Sequence, residues 1–181
     1  MPYFLDWPVG WHWYRDAKGI LLCVKTSSST PLNKAFTMAA ITDYSDTLHR
    51  EAVIDLWDAV FGYETAHNTP GLAIDKKLAV ADGLFFVALT DNEVVGTVLA
   101  GYDGHRGWLY AVAVHPAHRR NGLGVQLVRH AEHALTLRGC MKINLQIVST
   151  NASVQAFYES MGYATEPRIS MGKKIESNIT N

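Results

Sequence analysis

The stretch Ala113 to Gly124 reads Ala-Val-His-Pro-Ala-His-Arg-Arg-Asn-Gly-Leu-Gly. It joins the end of an apolar run to a loop of basic and polar groups, two glycines and the start of a helical pattern. The first amides of a helix have no intrahelical acceptor and carry a partial positive charge. Glycines let a bulky anion approach the backbone, and Arg119 and Arg120 add charge nearby. A pyrophosphate needs this combination. The loop has no Gly-Lys-Ser/Thr ending, so it is not a P-loop. Gly122-Leu123-Gly124 is followed by Val125, Gln126 and Leu127, so the third glycine of a dinucleotide fingerprint is missing. A lone Gly-x-Gly would be read as a conformational turn with solvated arginines. The arginines and the strand-loop-helix setting favour the anion reading.

The elements that must hold this loop follow from periodicity. Met38 to Thr42 predicts a short strand. Asp46 or Thr47 then caps a helix whose apolar face is Leu48, Ala52, Val53, Leu56, Trp57, Val60 and Phe61. Pro70 opens a second helix, with Leu72, Leu78 and Val80 as core candidates. Leu84 to Leu89 and Val94 to Ala100 form a hairpin across Thr90-Asp91-Asn92-Glu93. Gly96 within it signals a bulge or a close approach. Trp108 to Val114 is a strand ended by His115-Pro116. A helix runs from about Gly122 to Leu137, with Leu123, Leu127, Val128, Ala131 and Leu135 on one face and Arg138-Gly139 as its stop. Lys142 to Val148 alternates as a strand. Asn151 caps a helix carrying Val154, Phe157, Tyr158 and Met161, ended by Gly162. Tyr163 and residues 169–175 supply closing strand. The fold class is α/β, with an antiparallel beginning and strand-helix-strand units later.

Three blocks in this order resemble the GNAT acetyltransferases. Arg119-Arg120-Asn121-Gly122-Leu123-Gly124 is similar to the family's Arg/Gln-x-x-Gly-x-Gly/Ala signature. Val112-Ala113-Val114-His115-Pro116 resembles its splayed fourth strand. Asn151-Ala152-Ser153, with Ala156-Phe157-Tyr158-Glu159 and Met161-Gly162-Tyr163, resembles its Asn…Ala…Phe-Tyr-Glu…Gly-Phe helix. The likeness covers about three quarters of the chain and excludes the first 37 residues. Gly101 to Gly107 also resembles an uncharacterised bacterial branch. The resemblance implies a mixed, mostly antiparallel sheet flanked by about four helices, with a splayed strand pair for acetyl-CoA.

It further implies roles. The backbone of Val112-Ala113-Val114 would pair with the pantetheine amides, through Val112 and Val114. The amides of Arg120, Asn121, Gly122, Leu123, Gly124 and Val125 would cradle the pyrophosphate, with Arg119 beside them. Asn151 would contact the middle of the cosubstrate, and Tyr158 would give a proton to the departing thiolate. Read alone, Tyr158 is a core aromatic. A strand N–H near Val112 would stabilise the oxyanion of the attack. Relatives that modify protein N-termini carry Glu where this chain has Gln146, which cannot take a proton. Either water leads to another group or the amine arrives neutral. Glu64, Asp103 and His105 are candidate bases, each also readable as an ordinary surface group. Trp57, Phe61 and Tyr63 could line an acceptor pocket, but Trp57 and Phe61 read better as core.

Bulk properties narrow the classes. The 181 residues suit one ordinary domain, and 48% are apolar. A formal net charge of -1 argues against bulk nucleic-acid binding or a polybasic membrane tail. Cys23 and Cys140 fit neither a metal site nor a disulfide framework, and His115 and His118 lack a third ligand at suitable spacing. No apolar run is long enough to span a bilayer, and no signal-peptide pattern precedes the domain, so a cytoplasmic protein is expected.

Residues 1–37 are rich in Trp and Tyr and end in the linker-like Ser27-Ser28-Ser29-Thr30-Pro31. They read as an extension that docks through its aromatics or is disordered, or, the favoured reading, as sequence upstream of a start at Met38. The domain is then 38–181. The expected function is acetyl transfer from acetyl-CoA to a primary amine of a small molecule or protein, without metal. The alternative is a CoA-binding sensor or interaction module that has lost catalysis. A homodimer is a family-level expectation.

Overall fold

The structure is a computed structural model and describes residues 11–15, 21–25, 39–62, 69–173 and 175. It divides into two compact units, Met1–Thr37 and Met38–Asn181. In the first, β1 (Trp11–Arg15) and β2 (Leu21–Lys25) pair antiparallel. The sequence reading placed no hairpin there.

The second unit is a mixed α/β domain. Its strands are β3 (Ala40–Asp43), β4 (Phe85–Thr90), β5 (Glu93–Tyr102), β6 (Gly107–Val114) and β7 (Ile143–Asn144). They lie side by side in chain order, antiparallel except for the parallel pair β6–β7. The helices are α1 (Asp46–Phe61), α2 (Pro70–Val80), α3 (Leu123–Leu137) and α4 (Ala152–Glu159).

Each face of the sheet has its own core. Leu123, Leu127, Val128, Ala131 and Leu135 of α3 meet Phe86, Ala88, Val98, Ala100 and Leu109, with Tyr158 of α4 in the same cluster. Val53, Leu56 and Trp57 of α1 and Ile74 of α2 meet Phe85, Val87, Leu99 and Ala113 on the other face. Alternate strand residues serve opposite cores, as a pleated strand buried on both sides requires. Each fully buried Leu adds about 1.5–3 kcal/mol over an exposed one.

The β4–β5 turn is the tight hairpin that Asp91-Asn92 favours. Both residues have positive φ, 51° and 66°, which matches the twist of the flanking strands. Gly96 marks both features that a strand glycine suggested. The pairing shifts register beside it, and a Cβ there would lie 2.8 Å from Leu127 Cδ1 and 3.1 Å from the Ala113 carbonyl oxygen.

Several expectations are corrected. Ser45, not Asp46 or Thr47, is the N-cap of α1, and the His49 side chain closes the turn by accepting from the Ser45 amide at 3.0 Å. Leu48 is 77% exposed and Ala52 and Phe61 are exposed, while His49 is buried. In α2, Leu72, Leu78 and Val80 are exposed, and the inward positions are Ile74 and Lys77. The Lys77 stem fills the helix–sheet contact while its ammonium pairs with Asp82 at 2.7 Å and with the Ala100 carbonyl, which makes its burial tolerable. Lys142 to Val148 pairs only at Ile143 and Asn144. Residues 169–173 and 175 form no strand, and Ile169 and Met171 are over 90% exposed.

Candidate functional site

Strand β6 is interrupted midway. Thr97 pairs with Ala113 and Leu99 with Tyr110, so Ala111 and Val112 both stand opposite Val98. This is a β-bulge, with Ala111 in the left-handed region at φ 47°. A non-glycine residue there is sparsely populated and needs support from its surroundings. The support is a buried polar relay. The Trp57 indole Nε1–H donates to Thr97 Oγ1 at 2.8 Å, and the Thr97 hydroxyl donates to the Ala111 carbonyl at 3.0 Å. Trp57 and Thr97 are both wholly buried. The sequence reading missed this bulge; the apolar run from Trp108 to Val114 carries no glycine or proline to mark it.

Beyond its first two residues β6 loses its neighbour. Gly107 pairs with Ile143 and Trp108 with Asn144, and there the parallel ladder stops. Among the described residues, the β6 edge from Leu109 to Val114 faces no strand on that side. A wedge therefore opens toward the end of β6. Unpaired strand edges accept an extended chain bearing amides.

The wedge leads to the loop before α3. His115-Pro116 ends β6, a single 3-10 turn follows at Pro116–His118, and His115 Nδ1 accepts from the Ala117 amide at 3.3 Å. Arg119 Nε donates back to the Val114 carbonyl at 3.0 Å. Arg120 and Gly122 have positive φ, 65° and 77°. The first amide of α3 to bond within the chain is that of Gln126, to the Gly122 carbonyl at 3.1 Å. The amides of Arg120 to Val125 donate to no oxygen among the described residues. Gly122, as N-cap, has no side chain to occupy them, and the first turn of α3 has no acidic residue. Such a helix start suits a diphosphate.

Helix α4 closes the far side. Asn151 caps it, its side-chain oxygen accepting from the Val154 amide at 3.2 Å and from the Ser153 hydroxyl at 3.0 Å. A Cβ on Gly124 would sit 3.3 Å from Phe157 and 3.8 Å from Val114, so α3, α4 and β6 converge there. Tyr163 donates to Glu132 at 2.8 Å, tying the end of α4 to α3. Tyr158 is buried, and burial pushes its phenol up to about 12. Its hydroxyl has no partner among the described residues, yet no fully buried side-chain oxygen among them is unpartnered, so the oxygen opens to the surface.

The structure thus brings Val112, Ala113, Val114, residues 119–125 and Tyr158 around one wedge, with Asn151 at the start of the helix that carries Tyr158. It does not bring the candidate bases there. Asp103 and His105 sit in the β5–β6 turn, at the other end of β6 from the anion loop, on the order of 15 Å from Val112 at the usual strand rise. The Asp103 carboxylate accepts from the amides of Arg106 and His105 and from the Trp108 indole. Those backbone bonds hold it below the usual carboxylate range, which makes it a turn anchor. Gln146 donates to the Ser170 hydroxyl. Glu64 and Tyr63 lie outside the described residues. Trp57 is core; Phe61 is 38% exposed. No cluster of three metal-ligating side chains occurs among the described residues, and no helix among them is long and apolar enough to cross a membrane.

Residues 50–163 match the family model described as "Acetyltransferase (GNAT) family". A protein named as an acetyltransferase from Pectobacterium atrosepticum is 40% identical over 125 residues, 69% of this chain and 88% of that protein. The fold is that of an aminoglycoside 6'-N-acetyltransferase from Acinetobacter haemolyticus, with TM-score 0.61 and 21% identity over 76% of this chain and 99% of that one. It is also that of an aminoglycoside N-acetyltransferase in complex with CoA, with TM-score 0.62 and 22% identity over 75% and 94%.

Proposed function

The chain belongs to the GNAT acetyltransferase family, and from that premise we propose that it transfers an acetyl group from acetyl-CoA to a primary amine by direct attack. The observation that carries this reading is the wedge. An unpaired strand edge with a bulge at Ala111 runs into the unpaired amides of residues 120–125. A pantetheine arm is an extended chain with amides at one end and a pyrophosphate at the other. Both halves fit a surface that offers strand amides first and helix-start amides next.

In this reading the edge of Val112 and Val114 holds the arm, and the amides from Arg120 to Val125 hold the diphosphate with Arg119 and Arg120 nearby. The thioester carbonyl then lies at the bulge, where the Val112 amide stabilises the oxyanion as the amine attacks. As the C–N bond forms and the C–S bond breaks, the Tyr158 hydroxyl donates a hydrogen bond to the departing thiolate, and the proton lost by the amine nitrogen goes to solvent. Asn151 acts mainly through the cap that places Tyr158, because its side-chain oxygen is already engaged.

The amine arrives neutral. Among the described candidates, Gln146 cannot accept a proton, the Asp103 carboxylate is committed to its turn, and His105 sits at the distant end of β6; Glu64 lies outside the described residues. The reaction therefore draws on the unprotonated fraction of the acceptor. The test is release of CoA thiol from acetyl-CoA in the presence of primary amines, from simple alkylamines to lysine peptides. Amine-dependent release, rising with pH through the amine's own pKa, is expected. Acetyl-CoA binding with no release for any amine class would favour the second reading, a CoA-binding module. The observation behind that reading is Gln146, a residue without base chemistry where some relatives carry Glu.

A further inference from the structure

The relay beneath the bulge is more than core packing. In a planar trans peptide the C=O of one residue and the N–H of the next point in opposite directions. The Ala111 carbonyl and the Val112 N–H belong to one such peptide. Thr97, on β5, holds that carbonyl from within the sheet. The Val112 N–H is thereby turned away from β5, toward the edge where β7 has left the ladder. Register gives Val112 no cross-strand partner on β5.

The relay also has a direction. Trp57 Nε1–H can only donate, so the Thr97 oxygen accepts from it and the Thr97 proton must point onward to Ala111. Each bond in such a chain polarises the next, and the low dielectric around two wholly buried side chains strengthens the effect. A carbonyl that accepts a polarised hydrogen bond makes the N–H of its own peptide a better donor.

We infer that Thr97 and Trp57 are positioning residues for acyl transfer, which aim and polarise the Val112 N–H at the thioester carbonyl through the Ala111 peptide. The inference rests on the transferase reading above and deepens it. Neither side chain touches a substrate, so the relay acts on the carbonyl of bound acetyl-CoA and not on the affinity for CoA.

The experiment uses the full chain and acetyl-CoA labelled with carbon-13 at the thioester carbonyl. Isotope-edited infrared spectra of the bound carbonyl are compared for wild type, Thr97→Val, Thr97→Ser and Trp57→Phe, beside CoA affinity by calorimetry. Thr97→Val keeps the shape and removes both hydrogen bonds. Its carbonyl stretch should move up toward a weaker hydrogen bond while CoA affinity stays within about threefold. With any amine that supports turnover, its kcat should fall by about tenfold or more. Thr97→Ser restores the wild-type frequency and rate. Trp57→Phe keeps the Thr97–Ala111 bond but loses the upstream donor, and moves the stretch part of the way. An unchanged frequency in folded Thr97→Val overturns the inference. If that variant does not fold, an unchanged frequency in Trp57→Phe overturns it. Wild-type protein that binds no acetyl-CoA would instead remove the transferase reading on which the inference stands.

Discussion

Tyr158, the acid proposed above, shows what burial does to a phenol. Desolvation pushes its pKa up from 10.0 to about 12, so it stays protonated through the physiological range and beyond. A phenol that weak does not hand its proton fully to a thiolate of ordinary basicity; it stabilises the leaving sulfur by hydrogen bonding as the C–S bond breaks. Tyr158→Phe should therefore lower kcat by about 10- to 100-fold with little change in CoA affinity, read by thiol release and calorimetry. The rate of the wild type should show no loss from this group between about pH 7 and pH 10. The group's stability contribution is full below pH 10 and is lost as pH rises toward the folded value, since only then does the unfolded chain release the proton more readily. The role proposed for Tyr158 rests in the sequence only on its flanking Phe157, Glu159 and Gly162. The relay Trp57–Thr97–Ala111 was not visible at all, because it joins residues 40 positions apart for Trp57–Thr97, on a helix and a strand that only the fold brings together.

At the scale of elements, the sheet is shaped by two irregularities, one beside Gly96 in β5 and one at Ala111 in β6. The first was legible, since a glycine inside an apolar alternation has few other reasons to exist. Its packing makes a sharp prediction. Gly96→Ala would place a methyl 2.8 Å from the fully buried Leu127 and 3.1 Å from the Ala113 carbonyl, neither of which can yield freely. It should cost about 1–3 kcal/mol, measured as a lowered midpoint in denaturant, and should disturb β6 next to Val114. The α3 face was legible in full because a strong 3.6-residue period is set by one large buried stripe. The α1 and α2 faces were misread at Leu48, Leu72, Leu78 and Val80. There polar residues with partners, His49 and Lys77, take the inward positions. The strand expected at 142–148 is short because leaving the ladder after Asn144 is what opens the wedge.

At the scale of the whole molecule, two imidazoles, the buried His49 and the half-buried His130, link folding to pH. Burial holds His49 below its usual 6.5, and its Nδ1 must stay unprotonated to accept from the Ser45 amide. Burial lowers His130 as well, beside Phe86, with Asp43 opposing and His133 reinforcing the shift. Both values lie below those of the unfolded chain. Stability from these groups is therefore full above about pH 6.5 and is lost as pH falls through the lower folded values. Thermal midpoints should drop as pH falls below about 6.5, and His49→Gln should flatten part of that drop. The overall class, a mixed sheet with helices on both faces, followed from element order in the sequence. The pairing within Trp11–Lys25 did not, since its short runs lack a turn signature of the Asp91-Asn92 kind.

The central claim is that the wedge and the α3 start bind the cosubstrate through bare amides. Gly124→Trp would be a poor probe, because its first carbon already crowds Phe157. Asn121→Asp is cleaner. It lies at an exposed site just before the N-cap, nearly preserves shape, and places a negative charge that favours the helix dipole yet repels a diphosphate. Calorimetric titration of acetyl-CoA into wild type and Asn121→Asp should show saturable binding that weakens about tenfold in the variant, roughly 1.4 kcal/mol, at equal or higher thermal stability. Folded wild-type protein that takes up no acetyl-CoA, or a variant that binds it undiminished, would contradict the account.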